Sequence, residues 1–206
     1  MTRELSARVV SRLTEAHQTI ACGESLTAGL VSATIADTPG ASVVLLGGVV
    51  AYAAEVKVDL LGVPIALIAE AGTVDPRVAV AMAEGVRVRL GATWGVSTTG
   101  VAGPGPAEGK PTGTVHVAVA GPGGTESRAL RLTGDRADIR AATVEHLLRL
   151  LVERLDVAVK SSDARTDRRG TVGETARAAT TSAARPRTTP TPESPRERHR
   201  ERHRGG

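Results

Sequence analysis

Residues 19–37, TIACGESLTAGLVSATIAD, decide the fold. The short apolar run 19–22 reads as a buried strand, Gly23-Glu24-Ser25 as a turn, and the rest as a helix that ends before Pro39-Gly40. A strand feeding straight into a helix is the alternation of an α/β domain. Working outward, residues 3–16 place Leu5, Val9, Val10 and Leu13 at near-helical spacing. GGVVAY (47–52) predicts a second strand, and AAEVKVDLLG (53–62) a helix closed by Gly62 and then Pro64. Residues 75–90 carry Asp75 as a helix cap, Pro76 in the first turn and Gly91 beyond the end. TWGVSTTGVAG (93–103) is a strand running into a glycine loop. TGTVHVAVAG (112–121) and TESRALRLTG (125–134) alternate and are joined by Pro122-Gly123-Gly124, a β-hairpin. DRADIRAATVEHLLRLLVERL (135–155) forms a long closing helix. Early strand–helix alternation with a late hairpin predicts an α/β fold, a three-layer α/β/α sandwich with a mixed sheet.

Composition removes several classes. Of 206 residues 41% are hydrophobic, yet there is no Phe, one Trp (Trp94) and one Tyr (Tyr52), so the core must be Val, Leu, Ile and Ala. Only Lys57, Lys110 and Lys160 among the 26 basic residues are lysine. The single Cys22 cannot form an internal disulfide, and no Cys/His spacing suits structural zinc. No apolar run approaches the roughly 18 residues of a membrane span, and the polar start is unlike a signal peptide, so a soluble cytoplasmic protein is expected. Residues 1–159 hold 14 Lys+Arg and 16 Asp+Glu, a net of −2, whereas 160–206 hold 12 and 6, a net of +6. That last segment is Thr, Ser, Pro, Arg and Ala with almost no large apolar side chain, and reads as a disordered tail after a folded domain of 1–159. Its terminal RERHRERHRGG is either a solvated tail or a polyanion contact, nucleic acid included. His199 and His203 make a poor chelate on a flexible segment.

Three segments can carry chemistry. Ser25, between a buried strand and a helix, is either a nucleophile in an oxyanion-binding environment, an anion ligand, or, with Thr27, a simple helix cap. No G-x-S-x-G elbow is present, and His17, His116 and His146 are poorly placed for a triad. Lysine is the other base, active near neutral pH only if its surroundings bring its pKa down by about 3 from roughly 10.4. Lys57 lies five positions from Tyr52 and is either that base or a solvated helix residue; its rarity in an Arg-rich chain favours the first, because Arg cannot act as a base. TTGVAGPGPAEGKPTGTV (98–115) is a Gly/Pro loop whose N–H groups could cradle a phosphate or carboxylate, or a plain connection. It is not a P-loop, since Pro111 stands where a hydroxyl should hold magnesium. Arg136 and Arg140 either reach an anionic ligand or pair with Asp135 and Asp138.

ACGESLTAGL, GGVVAYAAEVKVDLLGV and TTGVAGPG…GKPTGTV, in this order, resemble the CinA C-terminal-domain family over roughly residues 5–155. The resemblance implies a nicotinamide-nucleotide amidohydrolase (NMN deamidase) on an α/β/α sandwich, with a small-molecule nucleotide substrate, no metal or other cofactor, and association into homo-oligomers. It makes Ser25 the nucleophile, Lys57 its base and Tyr52 a member of the same hydrogen-bonding group. Ser42 in the PGAS turn would lie near the site, Thr99, Gly100, Gly103 and Gly105 would bind substrate, and Arg140 would neutralise its phosphate or support the site. The family commonly has Gly where Ala28 stands and Tyr-Ser-Asn where this chain has Tyr52-Ala53-Ala54. The competing expectation is a non-catalytic nucleotide-binding or partner-binding module on the same scaffold.

Overall fold

The computed structural model describes the backbone of residues 1–177 and side chains as far as residue 158. Five strands, β1 (Ile20–Glu24), β2 (Leu45–Val50), β3 (Trp94–Gly100), β4 (Thr114–Gly121) and β5 (Gly124–Arg131), form one sheet in the order β2-β1-β3-β4-β5. The first three are parallel, and β4 and β5 add antiparallel. Six helices accompany them: α1 (Thr2–Glu15), α2 (Leu30–Ala36), α3 (Ala54–Leu61), α4 (Ile65–Ala71), α5 (Pro76–Arg89) and α6 (Arg136–Arg177). This is the mixed α/β sandwich expected from the alternation.

Strand alternation assigns the two cores. Ile20 and Cys22 of β1 and Val115, Val117 and Val119 of β4 face one side, where they join Val9, Leu13, Ile35 and the α6 stripe Ile139, Val144, Leu147, Leu148 and Leu151. Ala21 faces the other way, packing with Leu61, Val78, Met82 and Val86 beneath α3 and α5. Small residues decide how near α5 lies: a Cβ at Gly95 would meet the Ala83 carbonyl of the helix, so only glycine permits this approach. The lone Trp94 is fully buried in the first core and donates its indole N–H to Gln18 Oε1 at 2.7 Å.

Several elements differ from expectation, β1 among them, which runs on through Gly23 and Glu24. The helix predicted from residue 26 begins at Leu30, for a reason given below. Strand β2 ends at Val50, two residues early. Helix α4 is not among the expected elements; seven residues with no fully buried side chain leave no periodic signal. Helix α6 runs on to Arg177, past the boundary at residue 159 expected between domain and tail. Low apolar content denies a segment a core, but a helix already nucleated extends at little cost. The expected basic terminus, with His199 and His203, lies outside the described residues.

The connection from β1 to β2 runs through α2 on one face, and that from β2 to β3 through α3, α4 and α5 on the other. The carboxyl ends of β1 and β3 therefore flank a topological switch point, where open α/β sheets bind ligands. No described helix is long and apolar enough to cross a membrane.

Candidate active site

Ser25 follows the last residue of β1, and its N–H is bonded to Thr98 O of β3 at 3.0 Å. The chain then reverses: Ser25 O accepts from Ala28 N–H at 3.1 Å, and Ala28 and Gly29 adopt left-handed φ angles of 50° and 93°. Glu24, 1% exposed, sits under this turn. Its Oε2 accepts from the N–H groups of Gly29 (2.9 Å) and Val31 (3.0 Å), and its Oε1 from the N–H (2.9 Å) and hydroxyl (2.7 Å) of Ser32. The N–H groups opening α2 are thus consumed internally, which corrects the expectation that Ser25 or Thr27 caps that helix or that it offers an anion site. Thr27 is turned inward, its hydroxyl 2.7 Å from that of Thr98.

Helix α3 brings Lys57 to Ser25. Lys57 is completely buried. Its Nζ donates to Ala51 O at 2.8 Å and Tyr52 O at 3.0 Å, and lies 3.1 Å from Ser25 Oγ. Two carbonyls accept two N–H bonds, so the remaining tetrahedral position of a neutral amine is a lone pair aimed at the serine hydroxyl. Burial pushes the Lys57 pKa below its ordinary 10.5, against the opposing pull of Glu108 and Glu55. A buried amine of lowered basicity beside a serine is an arrangement able to activate that serine as a nucleophile. Among the described residues no histidine is bonded to Ser25. The nearby Cys22 thiol is pushed up to about 12 by burial and the Glu24 charge, and stays protonated.

A cleft of about 240 Å³ opens over Ser25. Leu26, Tyr52, Thr73, residues 100–108 and Arg136 line it. The loop after β3 is fastened to the segment before α5 by Glu108, which accepts from Thr73 N–H (2.7 Å) and hydroxyl (2.6 Å) and from Val74 N–H (3.3 Å). Burial alone would raise the Glu108 carboxyl, but these hydrogen bonds outweigh it and hold the pKa below the ordinary value. Lys110 completes the clasp on Ala71 O at 2.9 Å.

The expected site residues divide accordingly. Ser25 and Lys57 meet. Gly100, Gly103 and Gly105 line the cleft, whereas Thr99 is buried and donates to Thr73 O at 2.7 Å, bracing the wall instead of facing the ligand. Tyr52 joins the dyad through its main-chain carbonyl; its phenol, on a residue 53% exposed, accepts from Arg136 Nη2 at 2.6 Å. Ser42 is exposed in the 3₁₀ turn Ala41–Val43 that precedes β2. It therefore lies at the opposite end of the sheet from Ser25, about 17 Å of strand away, and is not a site residue within this chain. Arg140 does not line the cleft; its Nε donates to Leu26 O at 3.0 Å and its Nη2 to Thr27 O at 2.7 Å. The cation that lines it is Arg136, which also donates to Gly103 O at 2.9 Å. Asp135 and Asp138 bond each other's backbone N–H groups at 2.9 and 3.1 Å, closing the start of α6. Neither arginine pairs with those acids among the described ion pairs.

Two roomier clefts lie elsewhere, about 500 Å³ between α3 and α5 and about 720 Å³ beside α1 and α2; neither sets a nucleophile against a base. The described residues contain no cluster of three or more His, Cys, Asp or Glu able to hold a metal ion.

The family model described as the CinA C-terminal domain matches residues 2–155. A CinA-like protein of Frankia casuarinae is 48% identical over 147 residues, covering 71% of this chain and 34% of the relative. A putative competence-damage inducible protein of Desulforamulus reducens is 49% identical over 138 residues, covering 67% and 34%. The chain thus spans about a third of the length of the curated relatives it matches. Among solved structures, the competence/damage inducible protein CihA of Agrobacterium tumefaciens superposes with a TM-score of 0.72 at 33% identity, over 75% of this chain and 95% of that one. A CinA-superfamily protein of Klebsiella pneumoniae gives 0.73 at 29% identity, over 76% and 98%.

Proposed function

The chain belongs to the CinA C-terminal domain family, and from that premise we propose that it hydrolyses the carboxamide of nicotinamide mononucleotide to nicotinate mononucleotide and ammonia. One observation carries the reading: the buried Lys57 amine 3.1 Å from Ser25 Oγ, with its other hydrogen bonds already taken by two carbonyls. Ser25 Oγ attacks the amide carbon while neutral Lys57 takes the hydroxyl proton. The carbonyl oxygen becomes an oxyanion that meets the backbone N–H of Leu26; Ser25's own N–H is engaged elsewhere, but that of Leu26, which lines the cleft, has no acceptor among the described residues. Lys57 passes its proton to the departing nitrogen, the C–N bond breaks, and ammonia leaves an acyl ester on Ser25. Water then attacks that ester, giving its proton to Lys57, which returns it to Ser25 Oγ. The phosphate of the substrate pairs with Arg136 and the free N–H groups of the loop after β3.

Ammonia release from nicotinamide mononucleotide and from free nicotinamide, measured side by side, tests the assignment. Release from the nucleotide, and far slower release from the free base, is expected. Binding of the nucleotide with no ammonia would overturn the reading in favour of a non-catalytic module.

A further inference from the structure

The cleft over Ser25 is lined by two charged residues, Glu108 and Arg136, and the reaction above uses only the second. Strands β2 and β3 flank β1 on either side, so Tyr52, just after β2, and residues 100–108, after β3, stand on opposite sides of Ser25. Tyr52 is tied at both ends. Its carbonyl accepts from Lys57 Nζ at 3.0 Å, and its phenol oxygen accepts from Arg136 Nη2 at 2.6 Å. The ring therefore spans the interval from the base to the cation, which a substrate crosses with its carboxamide at Ser25 and its phosphate at Arg136. Tyr52 is 53% exposed, in a chain with no Phe and with its one Trp fully buried, so no other Phe, Tyr or Trp face is offered to a ligand. Across the cleft, the hydrogen bonds of Glu108 to Thr73 and Val74 hold its carboxyl ionised. They explain how the loop is fastened but not why the fastening group carries a charge. That charge reaches the space above Ser25, since it pulls on the Lys57 amine. A cleft with one anion and one cation suits a ligand that is itself a zwitterion.

We propose that the Tyr52 ring and the Glu108 carboxylate form the subsite for a cationic pyridinium ring, so that the cleft selects N-ribosylated nicotinamide by the charge of its ring. The proposal rests on the reading above of this cleft as the nucleotide's site, and it names the residues that determine specificity there. In nicotinamide mononucleotide the glycosidic bond makes the ring nitrogen positive, whereas free nicotinamide and the 1,4-dihydro form of the nucleotide have neutral rings. A cation over the face of a tyrosine is attracted by the ring quadrupole, and a carboxylate lining the same cleft adds Coulomb attraction. The dihydro form keeps the carboxamide, ribose and phosphate, so it isolates the ring charge.

Affinities for nicotinamide mononucleotide and its 1,4-dihydro form are measured by titration calorimetry on the full-length chain carrying Ser25→Ala, which removes turnover. The same titrations are made with Tyr52→Leu, Tyr52→Phe or Glu108→Gln added, beside ammonia release by wild type. Expected is tighter binding of the oxidised form with Ser25→Ala alone, and an equal preference with Tyr52→Phe, which keeps the ring. Tyr52→Leu should weaken binding of the oxidised form by about 5- to 30-fold and leave that of the dihydro form nearly unchanged. Glu108→Gln, which keeps an acceptor for Thr73, should shift the preference in the same direction. Trp94 emission and the melting temperature report the fold of each protein, and if Tyr52→Leu does not fold, Glu108→Gln decides. Equal affinity for the two forms, or a preference that survives either substitution undiminished, overturns the inference. If wild type releases no ammonia while the preference and its loss are seen, hydrolysis fails and the ring subsite stands. Binding of neither form overturns both.

Discussion

Lys57→Met keeps the volume and apolar stem of the side chain and removes only the amine. Two effects follow, and they differ in their pH dependence. The first is catalytic. General-base assistance is worth 10²–10⁴-fold, so kcat/KM should fall by about that factor, or about 2.7–5.5 kcal/mol of transition-state stabilisation. The proposed mechanism requires neutral Lys57, whose pKa burial holds below 10.5. The kcat/KM of wild type should therefore rise with pH to a plateau whose midpoint lies below 10.5, and this limb should be missing from Lys57→Met. The second effect is on stability. Between the folded-state pKa of Lys57 and 10.5 the unfolded chain binds more protons than the folded one, so wild-type stability increases with pH across that window. Lys57→Met lacks that slope. Against this, it leaves Ala51 O and Tyr52 O without the amine donor, at about 1–3 kcal/mol for each carbonyl left unpaired. Ammonia release followed across pH, with urea unfolding at the same pH values, measures both. A variant that keeps more than a tenth of wild-type kcat/KM, or that retains the rising limb, refutes the role given to Lys57.

Three further outcomes follow from named atoms. Ala28→Gly should stabilise the fold by about 0.5–1 kcal/mol in urea unfolding: relief of a left-handed alanine, roughly 1–2 kcal/mol, exceeds the added unfolded-chain entropy of about 0.4–1 kcal/mol. Ala53→Ser should add about 1 kcal/mol by the same measurement, since Ala53 is the extended N-cap of α3 and supplies no side-chain acceptor. Arg136→Met should raise KM for nicotinamide mononucleotide by about tenfold or more while sparing its riboside, because it removes the cation that lines the cleft.

What was legible in the sequence was what local chemistry specifies. Asp75 and Pro76 open α5 as their types demand, Asp75 accepting from Arg77 N–H at 2.8 Å. The hairpin closes on Pro122-Gly123, with Gly121 paired to Gly124. The meeting of Ser25 and Lys57 was legible only in part: rarity in an Arg-rich chain singled out Lys57, and its pairing with Ser25 came from the resemblance. Contacts between side chains and distant backbone left no such trace. Glu24 delays α2 by taking its N–H groups, and nothing in the spacing of GES announces it. Arg136 and Arg140 are one helical turn apart on the same helix and chemically identical; only the tertiary path of α6 sends one to the cleft and the other to the turn. Ser42 was carried over by resemblance, and the strand between it and Ser25 separates them. Departures from the family pattern also gain physical meaning: Ala28 stands at a left-handed position that suits glycine, and Ala53 at a cap that suits serine.

The central claim is that Ser25, activated by Lys57, opens the carboxamide of a pyridine nucleotide. Its most direct test is the stoichiometric release of ammonia and nicotinate mononucleotide from nicotinamide mononucleotide by wild type and by Ser25→Ala, each checked for an unchanged melting temperature. The expected result is one ammonia per nicotinate mononucleotide with wild type, and a rate at least 10³-fold lower with the alanine variant. Equal rates from the two proteins, at matched fold, would contradict it.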